Sequence, residues 1–302
     1  MRHHGHMDIH TVGSGREFLT EAQLQPLASV FAEAPAPAAS KMYRQVKTIE
    51  VVNLFAGQGW YPVMAQEQRV IDAARNGFQK HMIRFRQKET AMARMSAPEI
   101  IVRNSHDTTT TYQIMGGMIN FACLNGLIVS DAQFAMIRVM HMGFEPRAII
   151  DATRKFAEGI PQIMDRVKDY QKIDLTPTDR QIFAESALLV KLNADEDVVP
   201  MRKQNGVFKV DDREFDVPRF LAPARDSDRL PTLWNTFNTV QEKLISGTRH
   251  NNRFEVNTKP SFSNGRAIKK VRGVTAIDEN VRINRGLWHL MSEMAKQKGA
   301  TA

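Results

Sequence analysis

The apolar and polar positions divide the chain into a strand-rich half followed by a helix-rich half. Between Tyr43 and Trp60 an apolar set at helical spacing ends at Gly57 and Gly59, which predicts one short helix. The next segments alternate with a period of two or are rich in β-branched residues, as strands are: YPVMAQEQRV, GFQKHMIRFRQ, EIIVRN and TYQIMGGMINFACLNGLIV. We predict an antiparallel sheet of about four strands from this pattern.

After Ser130 the apolar positions recur at helical spacing, which predicts helices in residues 131–143, 145–171, 176–192, 232–246 and 278–296. VFKVDDREFDVP is typical of a small hairpin. The predicted fold class is α+β, with the sheet in the N-terminal half packed against several amphipathic helices.

The domain organisation follows from the same pattern. Residues 1–40 end in AEAPAPAAS, which predicts a flexible tail and linker that does not pack. Residues 41–300 are predicted to form a single large α+β domain, sheet-rich over 41–130 and helix-rich over 131–300.

Positive charge is concentrated in two regions of a chain whose net charge is +8. Residues 249–272, which we call the basic segment, carry seven basic residues against one acid, Glu255, and have neither helical nor strand periodicity. The segment is predicted to be an exposed loop or hairpin. A second concentration runs from residue 75 to 103. Concentrated positive charge attracts polyanions, most often nucleic acid.

The residues predicted to contact nucleic acid come from both regions. Those of GFQKHMIRFRQ and of the next strand would line the polar face of the sheet, and the basic segment would form a mobile clamp over it. The set consists of Lys80, His81, Arg84, Arg86, Arg103, Arg249, Arg253, Phe254, Arg266, Lys269, Lys270 and Arg272. Basic side chains neutralise phosphates, and aromatic rings stack on unpaired bases.

A catalytic site is weakly indicated by the turn NSHD, where His106 and Asp107 are adjacent. A structural role is the favoured interpretation, with Asp107 and the neighbouring threonines bonded to the turn backbone. Phosphate contact and catalysis stay open. We predict no metal site and no cofactor, and Mg²⁺ enters only if the protein is a nuclease. No phosphate-binding glycine motif or hydrolase motif occurs, so the paired glycines are assigned to turns and close strand packing.

The cell compartment is constrained by what the sequence lacks. It has no apolar run long enough to span a membrane, no signal-peptide pattern and a single cysteine, Cys123. We expect a soluble protein of the bacterial cytoplasm with no membrane partner.

Three phrases, NSHDTTTTYQIMGGMINFACLNGLIVSD, LWNTFNTVQEKLISG and DENVRINRGLWHLMSEMA, resemble the domain-of-unknown-function family 932, with the similarity running from Lys41 to Lys296. The resemblance implies an origin in phages, plasmids or integrated elements and a mixed sheet-and-helix domain. A remoter similarity is to phage annealases of the RecT, Red-beta and Rad types, whose cores pair a β-sheet with helices around a DNA groove.

The favoured function is therefore a single-stranded DNA-binding protein of a phage or mobile element. It would be non-enzymatic, would form homo-oligomers and would anneal complementary strands in recombination or replication. One alternative is a metal-dependent nuclease or other DNA-processing enzyme centred on His106 and Asp107. Another is a structural or host-interaction protein of a phage.

Overall fold

The fold is seen in a computed structural model, which describes residues 9–88, 96–121, 125–129, 137–139, 146–194, 200–202, 206–211, 213–246, 261–263, 266–268 and 273–300. The chain forms two compact units, and each is described by itself. Unit 1 comprises residues 1–162 and 275–281, and unit 2 comprises residues 163–274 and 282–302. The sequence predicts a single domain over residues 41–300, and the structure divides this range between two compact units.

Unit 1 is built on an antiparallel sheet. Its strands are β1 (Ile9–Val12), β2 (Trp60–Gln68), β3 (His81–Gln87), β4 (Ser96–Asn104), β5 (Tyr112–Asn120), β6 (Asn125–Val129) and β7 (Ile137–Val139). The strands from β1 to β6 pair in chain order, and β7 pairs with the first half of β5. The predicted α+β class, with the sheet in the N-terminal half, is confirmed.

One face of the sheet packs against helix α2 (Thr48–Ala56) and the first part of helix α3 (Pro146–Tyr170). The rings of Phe55 and Phe85 lie edge to face with centroids 4.8 Å apart, and Trp60 lies 6.1 Å from Phe156. Gly116 is needed beneath this helix because a Cβ there would overlap the Phe156 ring. This position confirms the assignment of the GG pair to close packing.

The opposite face of the sheet is covered by the start of helix α7 (Ile277–Gln297). An apolar cluster joins the two, and its members are Met82, Ile101, Met115, Ile128, Ile277 and Val281. Burying these side chains stabilises the contact by about 1.5–3 kcal/mol for each fully buried residue. Residues 275–281, which are distant from the sheet in the sequence, thus contribute to the hydrophobic core on this face of it.

Residues 9–40 pack against the rest of unit 1, so the prediction of a flexible tail is wrong for them. Strand β1 pairs with β2, and α1 (Glu21–Leu24) leads into a 3-10 turn at Ala28–Phe31. Leu24, Leu27 and Val30 are fully buried. These apolar side chains, spaced three residues apart, anchor the segment in the core. The Ala/Pro-rich composition of the following residues gave no indication of this packing.

The helix predicted at residues 131–143 is wrong at its centre. Ile137–Val139 form strand β7, paired with Tyr112–Ile114 of β5, and the rest of that range lies outside the described residues. β-branched residues at positions 137 and 139 favour an extended backbone, and pairing with an existing strand overrides a weak helical pattern.

Unit 2 is mainly helical. It contains the second part of α3, α4 (Pro177–Leu192), α5 (Val217–Leu221), α6 (Leu233–Ser246) and most of α7, together with strands β8 (Met201–Arg202), β9 (Val207–Val210), β10 (Arg213–Asp216), β11 (Ser261–Ser263) and β12 (Arg266–Ile268). The predicted hairpin at VFKVDDREFDVP is β9 and β10. The helices predicted at residues 145–171, 176–192, 232–246 and 278–296 are confirmed.

Polar contacts join the helices of unit 2. Arg282 of α7 donates to the carbonyl oxygens of Val190 and Lys191, at the C-terminus of α4, where a cation also complements the helix dipole. Gln241 of α6 donates to Asn284 Oδ1 at 2.5 Å, and both side chains are fully buried. Over the described residues, no helix of either unit is long and apolar enough to cross a membrane.

Removal of the α4 cap gives the first test. Thr176 Oγ1 accepts from the Asp179 backbone N–H, while the Asp179 carboxylate accepts from the Thr176 N–H. We expect Thr176→Ala to lower the free energy of unfolding by about 1 kcal/mol, because one helix N–H loses its acceptor. Urea unfolding followed by tryptophan fluorescence measures the change. Thr176→Ser retains the hydroxyl and should stay close to wild type, and equal losses in both variants would contradict the capping role.

Candidate functional site

A buried carboxylate joins two arginines on one face of the sheet in unit 1. Side chains alternate along a strand, so Arg84 and Arg86 of β3 project to the same face. Arg84 pairs with Ile101 of β4, and Glu99, two residues earlier, projects to that face as well. Arg84 Nε lies 2.5 Å from Glu99 Oε2, and Arg86 Nη2 lies 2.5 Å from Glu99 Oε1. All three side chains are at most 5% exposed, so these charges interact with little solvent screening.

A second acid binds the other two basic side chains of this face. Asp278, in the first turn of α7, accepts from Lys80 Nζ at 2.5 Å and also from Arg103 Nη2. Arg103 Nη1 donates in addition to Gln113 Oε1 at 3.2 Å. The exposed fractions of the Lys80 and Arg103 side chains are 20% and 11%. These ion pairs fix the start of α7 to the sheet.

The prediction that basic residues line an exposed polar face of the sheet is therefore wrong for Arg84, Arg86 and Arg103. Their side chains are buried and bound to carboxylates of unit 1. Arg84 and Arg86 share Glu99, an acid of the same region, and a count of charges does not show that the three side chains lie together inside the fold. The partner of Arg103 is Asp278, which lies far away in the sequence and is not included in a count over residues 75–103. Lys80 keeps partial exposure, and its contact with nucleic acid stays a prediction.

His81 is buried in a polar network at the end of the sheet. Its Nδ1 lies 3.1 Å from the Gln79 carbonyl oxygen and donates to it, so Nε2, 2.7 Å from Thr48 Oγ1, is the acceptor. Asn104 Nδ2 also donates to Thr48 Oγ1, at 3.0 Å, and to the Val46 carbonyl oxygen. Burial lowers the pKa of His81 to about 4. The imidazole is thus neutral near pH 7 and links α2 to β3 and β4, whereas it was predicted to lie with the basic residues on the nucleic-acid-binding face of the sheet.

The NSHD turn holds His106 and Asp107 in place. Asp107 Oδ2 accepts from Arg75 Nε and Nη2 at 2.9 and 2.7 Å, and Oδ1 accepts from the backbone N–H and hydroxyl of Thr109. Burial opposes ionisation of Asp107, but the bonds from Thr109 and Arg75 outweigh it and lower its pKa. His106 is fully buried, with Nδ1 3.3 Å from Gln45 Nε2. The hydrogen bonds predicted between Asp107 and the turn are present, and the choice between a structural and a catalytic role stays a prediction.

The basic segment lies in unit 2 and is described in part. Ser261–Ser263 and Arg266–Ile268 pair as an antiparallel hairpin, and the two residues between them in the sequence, Asn264 and Gly265, are a strong hairpin signal. Arg266 lies on β12. The predicted contacts Arg249, Arg253, Phe254, Lys269, Lys270 and Arg272 lie outside the described residues. Of the two structures predicted for this segment, loop or hairpin, the described part is a hairpin.

Sequence reasoning missed the partners that organise these side chains. Asp278 had no signal beyond its position in the first turn of a predicted helix, and Thr48 resembled an ordinary helix start. Glu99 was not predicted to pair with Arg84 and Arg86. Among the residues that the structure describes, no group of three or more His, Cys, Asp or Glu side chains is arranged to hold a metal ion.

An antiparallel sheet covered on both faces by helices, with its charged residues turned inward, places unit 1 among α+β domains. The chain belongs to the family described as Domain of unknown function (DUF932), whose model matches residues 37–288. This agrees with the resemblance noted from its sequence.

Two curated relatives come from Escherichia coli strain K12. The chain is similar to UPF0380 protein YafZ, with 29% identity over 286 residues and 93% of each chain covered. It is similar to UPF0380 protein YfjQ, with 28% identity over 282 residues and 93% of each chain covered. No solved structure matches the chain. The family and these relatives define the kind of protein without naming a reaction.

The depressed pKa of His81 predicts how stability depends on pH. The unfolded histidine has a pKa near 6.5, so between about pH 6.5 and 4 the unfolded chain binds one more proton than the folded chain. The free energy of unfolding should therefore fall as the pH falls, by up to about 1.4 kcal/mol per pH unit from this residue.

His81→Gln removes the titrating group and should give a shallower dependence of unfolding free energy on pH than wild type. Urea unfolding at several pH values between 4 and 7 measures the slope. His289→Gln, at an exposed position, is the matched control and should keep the wild-type slope. If His81→Gln and wild type have the same slope, His81 is not the titrating group that we infer.

Proposed function

We propose that the protein binds nucleic acid through the basic segment, with single-stranded DNA as the ligand. The observation that carries the proposal is the charge of residues 249–272, where seven basic residues accompany one acid. Each basic side chain that neutralises a phosphate releases condensed counterions, and this release provides affinity without sequence specificity. The strands β11 and β12 pair as a short hairpin within the segment.

The two basic concentrations contribute differently to this proposal. In residues 75–103, five basic side chains have carboxylate partners within unit 1: Arg75, Lys80, Arg84, Arg86 and Arg103. The sheet face therefore offers less positive charge to a ligand than its sequence indicates. We therefore assign nucleic-acid binding mainly to the basic segment, with Lys80 as an additional contact.

We favour single-stranded over duplex DNA as the ligand because aromatic residues lie among the basic residues of the segment. Phe254 and Phe262 occur within the segment, and Phe262 lies on β11. Stacking of an aromatic ring on an unpaired base contributes about 1–3 kcal/mol per base. The sequence around Arg282 and Arg285 has no helix-turn-helix frame that would place a recognition helix in a major groove.

The finer proposal is that the protein anneals complementary strands during recombination or replication of a phage or other mobile element in the bacterial cytoplasm. It is supported by a mode of binding that would hold phosphates and leave base edges free to pair. Annealing requires no catalytic group. Self-association would extend the binding surface along a strand.

Charge neutralisation in the basic segment tests the proposal. We expect wild type to bind a fluorescent oligothymidylate, with log affinity falling linearly as log salt rises. The triple variant Lys269→Gln, Lys270→Gln, Arg272→Gln should bind more weakly and show a salt slope smaller by about 2, since each lost phosphate contact removes about 0.7 on a single strand. Fluorescence anisotropy at several salt concentrations measures both quantities.

The matched control removes the same charge elsewhere. Lys41→Gln, Arg147→Gln, Lys155→Gln changes three exposed positions of unit 1 and should keep the wild-type slope. Equal weakening by both triple variants would indicate a general charge effect and contradict the assigned surface. Annealing is measured separately, as the wild-type acceleration of duplex formation from labelled complementary strands. Binding without acceleration would refute annealing and leave the binding proposal intact.

A further inference from the structure

The Arg86 guanidinium is fully buried but only partly bonded. Its Nη2 donates to Glu99 Oε1, whereas Nε and Nη1 are buried without a hydrogen-bond acceptor in the described part of the chain. A guanidinium carries five N–H donors, and three of them belong to these two nitrogens. Buried charged donors without acceptors are strongly unfavourable, so the arrangement is chemically incomplete.

The groups around Arg86 do not supply the missing acceptor. Both carboxylate oxygens of Glu99 are already engaged, one by Arg84 and one by Arg86. The Arg84 guanidinium donates Nη2 to the carbonyl oxygens of Met118 and Leu127, and the Phe121 ring lies over Arg86 with its centroid 4.7 Å from Cζ. An aromatic face interacts with the cation but leaves the in-plane N–H groups unbonded.

The charge of this cluster is also unbalanced. Arg84 and Arg86 carry two positive charges and Glu99 carries one negative charge, all in a buried environment. The close approach depends on Gly126, since a Cβ at that position would overlap the Arg84 guanidinium. The backbone is thus shaped to admit two arginines beside one acid, which leaves a net positive charge inside the sheet domain.

We propose that Arg86 is an internal binding site for a small oxyanion of the phosphate class. Such an anion would accept from Nε and Nη1 and neutralise the remaining charge, because tetrahedral oxyanions present several acceptor oxygens to guanidinium N–H groups. Since Arg86 is fully buried, the ligand is a free anion rather than a phosphate within a polynucleotide. The site lies in unit 1 and holds whether or not the basic segment binds nucleic acid.

Thermal unfolding of the full chain in potassium phosphate and in potassium chloride at equal ionic strength tests this site. A ligand that binds only the folded state lowers the unfolding equilibrium constant by the factor 1 + [phosphate]/Kd, which is about tenfold at nine times Kd. We expect a clearly larger rise in Tm from chloride to phosphate for wild type than for Arg86→Met, which keeps only the general stabilisation that phosphate gives to folded proteins. Glu99→Gln leaves two buried cations without their carboxylate, so it should depend on phosphate more strongly than wild type.

Two control proteins exclude superficial binding. Arg154→Gln changes an arginine that is 67% exposed, and the triple variant of the basic segment removes three cations outside unit 1, so both should retain the wild-type response to phosphate. The DNA affinity of the triple variant tests the nucleic-acid proposal, and the phosphate response of Arg86→Met tests the anion site. Either proposal can therefore fail while the other holds. If Arg86→Met does not fold, equilibrium dialysis of wild type against labelled phosphate replaces it, with about one phosphate expected per chain.

Four results would overturn the proposal. The first is a wild-type Tm that is the same in phosphate and chloride, and the second is a phosphate response that is as large in Arg86→Met as in wild type. The third is a response to thymidine dinucleotide as large as the response to inorganic phosphate, because a phosphodiester would then reach a site that we assign to a free anion. Substoichiometric dialysis, well below one phosphate per chain, would have the same meaning as the first.

Discussion

The pairing of buried arginines with Glu99 is the interaction on which the sheet of unit 1 depends. Both arginine side chains lie on the face where Glu99 projects, and a slip of β4 by one residue would move that carboxylate to the apolar face beside Phe85. Removing one partner of a buried ion pair destabilises a protein by about 3–5 kcal/mol, because the remaining charge is left uncompensated. The ion pairs therefore specify strand register as much as they add stability.

This constraint explains which parts of the fold could be predicted from the sequence. The capping sequence at Thr176 and Pro177 and the alternation along β3 are local signals, and they identified the element type correctly. Residues 9–40 and Ile137–Val139 were missed because their structure is set by partners elsewhere, the buried surface beneath Leu27 and the edge of β5. Local composition does not contain that information.

The same limit applies to charge. A window count treats every arginine as an outward positive charge, whereas Arg103 and Lys80 share Asp278, a residue of the last helix. Sequence reasoning identified the basic side chains but not their acid partners, and so it overestimated the positive surface of the sheet. In the basic segment the excess of positive charge is larger, because its 24 residues hold seven basic side chains and one acid, Glu255. Electrostatic attraction of a polyanion depends on the charge that stays unpaired after folding, which favours the segment over the sheet.

The NSHD turn shows why a polar motif need not be a catalytic one. The Asp107 carboxylate accepts from Arg75 at one oxygen and from Thr109 at the other, so its observed contacts are those of a residue that holds the turn backbone. The bonds to Thr109 also hold the turn around Thr108, whose φ of 63° lies in the left-handed region. The turn therefore supports the fold of unit 1, and its polar residues do not by themselves indicate a reaction.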